Sequence, residues 1–299
     1  MFKRSDFTRY LLAGVLGLAS LVAGCDSGKQ ESPSGDGEVA RDNVEAIARE
    51  HDDEGATFAP QHTVVSDRLA YAEVDDELVY GYFVFPSDMI EPLAAIIVIH
   101  EWWGLNDNIR AMSDRLAAEG YIVLAIDLFG GKITTSLDEA RQSVLSTIED
   151  SELASENIRQ AYDFLSTAAG APRIGSLGWG FGGGWSLSAA MLFPDELDAA
   201  VIYYGQVTGD EELLRPINAP ILGLFGANDS GISVETLQQF ETALEHLRKS
   251  HEIHVFPGVD HAFANPTSNN YNADVAADAW EKMLKFLNYN LVAVGEENS

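Results

Sequence analysis

The chain has 299 residues, 46% of them hydrophobic, and its 18 basic residues face 47 acidic ones for a formal net charge of −29. A surface this acidic repels nucleic acid and anionic lipid headgroups, which excludes both as electrostatic partners. The sequence has one cysteine, so an internal disulfide and a cysteine-built metal site are excluded and the fold must rest on its apolar core.

The first residues form a targeting pattern. Lys3, Arg4 and Arg9 make a positive n-region, and Tyr10 to Ala23 is an apolar run of 14 residues. A bilayer span needs about 20, so the run has the form of a secretory signal. It closes in Leu21-Val22-Ala23-Gly24-Cys25, which resembles a bacterial lipobox. The resemblance implies a lipoprotein signal peptide over residues 1–24 and an exported lipoprotein tethered to the membrane through a lipid on Cys25. Asp26 beside it implies retention at the periplasmic face of the inner membrane. Residues 25–59 read as a tether, rich in Ser, Gly and Pro, with a short helical pattern from Glu38 to Glu50. Residues 60–290 are expected to form one α/β domain, and residues 291–299 a tail.

Within that domain Arg68 to Val74 and Leu78 to Phe85 alternate around Asp75-Asp76-Glu77 and predict an antiparallel pair that ends at Pro86. Ala94 to Ile99 is continuously apolar, as in a strand covered on both faces. Asn108 is placed as the cap of a helix carrying Ile109, Met112 and Leu116, which Gly120 stops. Tyr121 to Ile126 is a second buried strand, followed by amphipathic helices from Ser136 to Ile148 and from Ser151 to Ala168. An apolar run from Arg173 leads into Gly178-Trp179-Gly180-Phe181-Gly182, and a helix through Phe193 follows. Strands at Ala199 to Tyr203, Ile221 to Phe225 and Glu252 to Phe256 come next, with a helix from Ser233 to Arg248 before the last of them. A helix from Tyr271 to Asn290 closes the domain, with Trp280, Met283, Leu284 and Leu287 inward. Alternating strands and helices predict a mostly parallel sheet with helices on both faces.

Strand, glycine-lined turn, then helix is the frame of a nucleophile elbow, glycine-x-nucleophile-x-glycine. Gly178 and Gly182 fit its outer positions, but the central residue is Gly180, which has no side chain to attack with. In open α/β sheets ligands bind beyond the carboxyl ends of the strands. Four of those ends carry Glu101, Gly180, Asp229 and His261. Nucleophile position, then Asp, then His is the order along the chain in α/β-hydrolases.

The combination resembles the dienelactone hydrolase family over roughly Leu69 to Leu287. The matching stretches are Ile99-His100-Glu101-Trp102-Trp103-Gly104, Ala117-Ala118-Glu119-Gly120-Tyr121, Asp127-Leu128-Phe129, the elbow, Phe225-Gly226-Ala227-Asn228-Asp229 and Asp260-His261-Ala262-Phe263. The resemblance implies the α/β-hydrolase fold and hydrolysis of ester or lactone bonds without a cofactor or metal. It implies His261 as general base, Asp229 as the group that sets its tautomer, and the N–H groups of Trp102 and Phe181 as the oxyanion hole. Glu101 matches the family glutamate that interacts with the resting nucleophile.

Two departures qualify that expectation. Gly180 stands where the family has a cysteine or serine, and Ser176, Ser186 and Ser188 lie in the strand or along the helix, away from the turn. Asn265 stands where members acting on carboxylate-bearing dienelactones place an arginine, so the chain lacks that charge. Trp102, Trp103, Trp179 and Trp185 are expected to wall a pocket for an apolar or ring-shaped small molecule, with Asn265 also lining it; the alternative is that Trp185 is core and Trp103 packs under the loop. His251-Glu252-Ile253-His254 lacks the i, i+4 helical spacing of a zinc site, and the glycine run lacks the lysine of a nucleotide loop. Two readings follow: a hydrolase-family protein with weak or absent hydrolysis, or a membrane-tethered binding protein that has given up covalent chemistry.

Overall fold

The computed structural model describes residues 61–292. The signal, Cys25, the tether and its expected helix lie outside the described residues, and no described helix is long and apolar enough to cross a membrane. Eight strands form one sheet: β1 (Val64–Val74), β2 (Glu77–Pro86), β3 (Ala95–Ile99), β4 (Ile122–Ile126), β5 (Ile174–Trp179), β6 (Ala199–Tyr203), β7 (Ile221–Gly226) and β8 (His251–Phe256). Their order is β1-β2-β4-β3-β5-β6-β7-β8. The β1–β2 and β2–β4 pairs are antiparallel, and every later pair is parallel.

The hairpin turns on Asp75 and Asp76, with φ of 53° and 60°. Two consecutive left-handed residues match the right-handed twist of the strands they join, and aspartate tolerates that conformation. β1 begins at Val64, four residues before the sequence pattern starts. On an exposed edge its register comes from pairing with β2, so no apolar alternation is needed there.

The helices are α1 (Asp107–Ala118), α2 (Leu137–Glu149), α3 (Ser151–Asp163), α4 (Phe181–Leu192), α5 (Glu211–Leu214), α6 (Val234–His246) and α7 (Ala273–Leu287). α1 is capped by Asn106, whose side chain accepts the Ile109 N–H, and not by Asn108 as the sequence suggested. Two asparagines lie within reach of one helix start, and only the backbone angle at Asn106 is extended as a cap requires. α3 ends at Asp163, and a π-type turn over Phe164–Ala168 completes the expected span.

The strands alternate between two core layers. Ile97, Ile99, Ile122, Leu124 and Ile126 face the layer built with α2 to α6. Ile96, Val98, Val123 and Ala125 face the layer of α1 and α7, where Trp280, Met283, Leu284 and Leu287 are buried as expected. Helices on both faces leave the carboxyl ends of the central strands as the place where loops converge.

Candidate functional site

Gly180 sits between β5 and α4 with φ 55° and ψ −114°. That combination lies outside the regions open to side-chain-bearing residues and costs them about 1–3 kcal/mol. Glycine adopts it freely. Its N–H donates to the Tyr203 carbonyl, and its own carbonyl accepts from Gly184, so the sharp turn is held at both ends. A Cβ built on Gly180 would meet only the His261 ring, with Nε2 at 3.4 Å. The elbow is therefore formed, and the position that would carry the attacking atom lies beneath the imidazole.

Helix α4 reaches that place because it is paved with glycine. A Cβ on Gly182 would stand 2.1 Å from the Ile99 carbonyl oxygen and 2.6 Å from that of His100. The first turn of α4 thus lies backbone to backbone on the end of β3, next to Glu101 and Trp102. Phe181 is the first residue of α4, and a first-turn N–H has no acceptor within its own helix. The helix dipole adds positive character at the same point.

His261 is anchored on several sides. Its Nδ1 lies 2.8 Å from Asp229 Oδ2. Asp229 uses its other oxygen to accept the N–H groups of Gly231 and Ile232, so both carboxylate oxygens are engaged and the ring is held to one orientation. The His261 N–H donates to Asp260 and its carbonyl accepts from Asn270. With Nδ1–H facing a carboxylate, Nε2 is left as the base and points at Gly180. Burial alone would lower the imidazole pKa. The hydrogen bond and charge of Asp229, with the charges of Glu101 and Asp260, outweigh it and raise the pKa above its usual value.

Glu101 is 5% exposed, and Asn265 donates to its Oε2 at 2.5 Å. Desolvation raises its carboxyl from 4.5 to about 7, against the pull of His261 and of the polar groups of Asn265 and Tyr204. The backbone beside it is fixed by His100: Nδ1 lies 2.6 Å from the Glu101 carbonyl and Nε2 accepts the Leu128 N–H. That pattern makes Nδ1 the donor, and burial keeps the ring neutral by lowering its pKa.

Sequence reasoning missed one member of this cluster and gave another only part of its role. Tyr204 follows β6 with a left-handed φ of 37°, sets its ring at a tilt 5.1 Å from that of His261 and is fully buried. Its hydroxyl has no well-formed hydrogen bond among the described residues and lies against the Glu101 carboxyl, whose charge and burial push the phenol pKa far upward. The pair Tyr203-Tyr204 before Gly205, at the end of an apolar strand, was the available signal. Asn265 was read as a pocket residue standing where an arginine is expected, and it is also the hydrogen-bond donor that holds Glu101.

The aromatic residues divide differently from expectation. Trp102 and Trp103 are half-buried and meet edge to face at 4.9 Å. Trp179 is corrected as a pocket wall: it is 3% exposed and packs on Tyr203 in the layer of α1 and α7, because β5 turns it away from α4. Trp185 is fully buried in the opposite layer. Ser176 and Ser186 bond each other at 2.8 Å, and Ser188 donates to Gly184, so none of the three serves the elbow.

The mostly parallel sheet, the formed elbow and an Asp–His pair over it are those of the α/β-hydrolase fold. The match is family-wide: the model of the dienelactone hydrolase family covers residues 79–291, and the chain belongs to that family. A protein of Saccharolobus solfataricus provisionally named carboxymethylenebutenolidase is 33% identical, over 74% of this chain and 98% of the relative. One of the same name from Escherichia coli K12 is 30% identical, over 77% and 93%. Among solved structures, a provisionally named dienelactone hydrolase of Klebsiella pneumoniae superposes with a TM-score of 0.66 at 27% identity, covering 74% of this chain and 97% of that one. A dienelactone hydrolase-like promiscuous phosphotriesterase from metagenomic libraries shares the fold with a TM-score of 0.70 at 20% identity, over 76% and 99%.

Proposed function

We propose that this chain binds ester or lactone carbonyls in a dienelactone-hydrolase cradle and hydrolyses them weakly or not at all. The observation that carries this reading is Gly180 directly beneath His261 Nε2, where no described hydroxyl or thiol takes the nucleophile's place. The N–H groups of Trp102 and Phe181 would polarise the carbonyl, Asp229 would orient His261, and Glu101 would supply a second buried proton-exchanging group. What is lost is the acyl-enzyme route. Removing the nucleophile from a comparable triad costs about 10⁶ in turnover, which is about 8 kcal/mol of transition-state stabilisation. Hydrolysis by water that His261 deprotonates is the residual path.

The relatives' names point to a butenolide, an unsaturated five-membered lactone, as the ligand class. Asn265 in place of a cation argues against a carboxylate-bearing one, since Glu101, Asp229 and Asp260 already crowd the site with acidic groups. The half-buried Trp102–Trp103 pair favours a ring-shaped, uncharged molecule, which also supports the second reading, a binding protein without turnover. By its lipobox, the protein is further proposed to work as a lipoprotein tethered through Cys25 at the periplasmic face of the inner membrane. Radiolabelled palmitate incorporated by the expressing cells, and lost in Cys25→Ser, tests the tether.

The catalytic part is tested by Gly180→Cys, assayed on p-nitrophenyl acetate. The expected result is a gain of about 10³-fold or more over the unaltered chain, abolished again by His261→Ala. A restored cysteine that brings no activity would show that the cradle is not a hydrolytic one.

A further inference from the structure

The residues around Gly180 form a proton-transfer site that does not need an attacking atom. His261 Nε2 faces the place where a side chain would otherwise stand, and no other group lies within 4 Å of that Cβ position. A ligand carbon can therefore approach the base that the elbow side chain would have screened. Glu101 lies near enough for its charge to act on His261, is buried, and is held by Asn265. Beside both is the fully buried Tyr204 hydroxyl, with no well-formed hydrogen bond of its own and aimed at Glu101. The Phe181 N–H, in the first turn of α4 next to Gly180, is a donor open to a ligand carbonyl here.

We propose that the site isomerises an uncharged β,γ-unsaturated lactone or ketone, with His261 taking the proton from the α carbon and Glu101 delivering one to the γ carbon. This rests on the reading that Gly180 leaves no nucleophile. In the first half the α C–H bond breaks and its proton goes to Nε2. The electron pair moves through the carbonyl carbon to the oxygen, giving a dienolate whose charge the Trp102 and Phe181 amides hold. In the second half the carboxyl proton of Glu101 forms the γ C–H bond and the double bond moves into conjugation with the carbonyl. His261 then gives its proton to solvent and the Glu101 carboxylate takes one from solvent, which resets the site with no net gain or loss of atoms or electrons; the His261 side chain is 23% exposed and can exchange. Burial raises the Glu101 carboxyl to about 7 and so favours the protonated form that the second half needs. An acid kept neutral by an apolar setting is known beside a base that abstracts an α proton, where it donates a hydrogen bond to the oxyanion; here the acid is assigned the proton delivery instead.

The test uses the unaltered protein with α-angelica lactone, a β,γ-unsaturated methyl butenolide, followed by proton NMR in D₂O. The expected product is the conjugated isomer carrying deuterium at the γ carbon, formed at least about 10²-fold faster than in buffer. His261→Ala should remove both exchange and isomerisation, with a thermal melt confirming that it is folded. Glu101→Gln should keep deuterium exchange at the α carbon while isomer formation falls, a change of partition that a general loss of structure would not produce. Lactone that stays unexchanged and unisomerised overturns this proposal and leaves the preceding one standing. Ring-opened acid formed at ordinary enzymatic rates overturns the preceding one and this with it.

Discussion

The two halves of the site are built in opposite ways. The base half is tied by side chains: Asp229 spends both oxygens, Asp260 and Asn270 pin the His261 backbone, and Tyr204 backs the ring. The nucleophile half is made of backbone alone, with Gly180 in a turn that would strain any residue with a side chain and Gly182 pressed against the carbonyls of Ile99 and His100. The first half would be pointless to maintain for packing, since loop residues need no buried carboxylate to fold. The second half needs glycine to close, and at Gly180 it gains stability by lacking a side chain. The base half is therefore held by polar side chains, and the elbow by a backbone that glycine leaves unstrained.

The largest effect that sharpens this contrast is on turnover. In the Gly180→Cys background, Asp229→Asn should cost about 10⁴-fold in ester hydrolysis by presenting the wrong tautomer of His261, measured as kcat. A loss below tenfold would mean that the base half is not organised as described. Next, Gly182→Ala should destabilise the unaltered protein by about 3 kcal/mol, because the carbonyls it meets belong to the backbone and cannot move aside. Urea unfolding would check it, and an unchanged midpoint would break the account of the α4–β3 contact.

Glu101 gives an effect of similar size that depends on pH. Its folded carboxyl is raised from 4.5 to about 7, so its contribution to stability is full below pH 4.5 and is lost as pH climbs through 7. That loss is on the order of 3 kcal/mol. Glu101→Gln should flatten the fall in Tm across this window, and a profile of unchanged slope would contradict the burial of an acid there. Smaller again, Gly180→Cys should itself lower stability by about 1–3 kcal/mol, and Asn106→Ala by about 1 kcal/mol through loss of the α1 cap.

Much of this was legible in the sequence, and the reasons are local. Continuous apolar runs such as Ala95 to Ile99 have only one environment available, between two helical layers, and Asp75-Asp76 encodes its own turn. The chain order of Gly180, Asp229 and His261 placed three strand ends at one site. Tyr204 was not legible as a site residue, and Asn265 was legible as a pocket position but not as the donor to Glu101, because both roles depend on Glu101, which follows β3 far away in the chain. Trp179 was misread because a tryptophan beside an elbow can face either layer, and only the alternation of β5 decides which. The four residues of α5 carry too little periodicity to be recognised at all.

The central claim is most directly tested by trapping. The unaltered chain and Gly180→Cys are each incubated with an activated phosphate ester such as paraoxon, and intact mass spectrometry with peptide mapping locates any adduct. The account predicts a stoichiometric adduct on the restored cysteine and none on any site residue of the unaltered chain. An adduct on Tyr204, or on any other side chain facing His261 in the unaltered protein, would show that the site has an attacking atom after all.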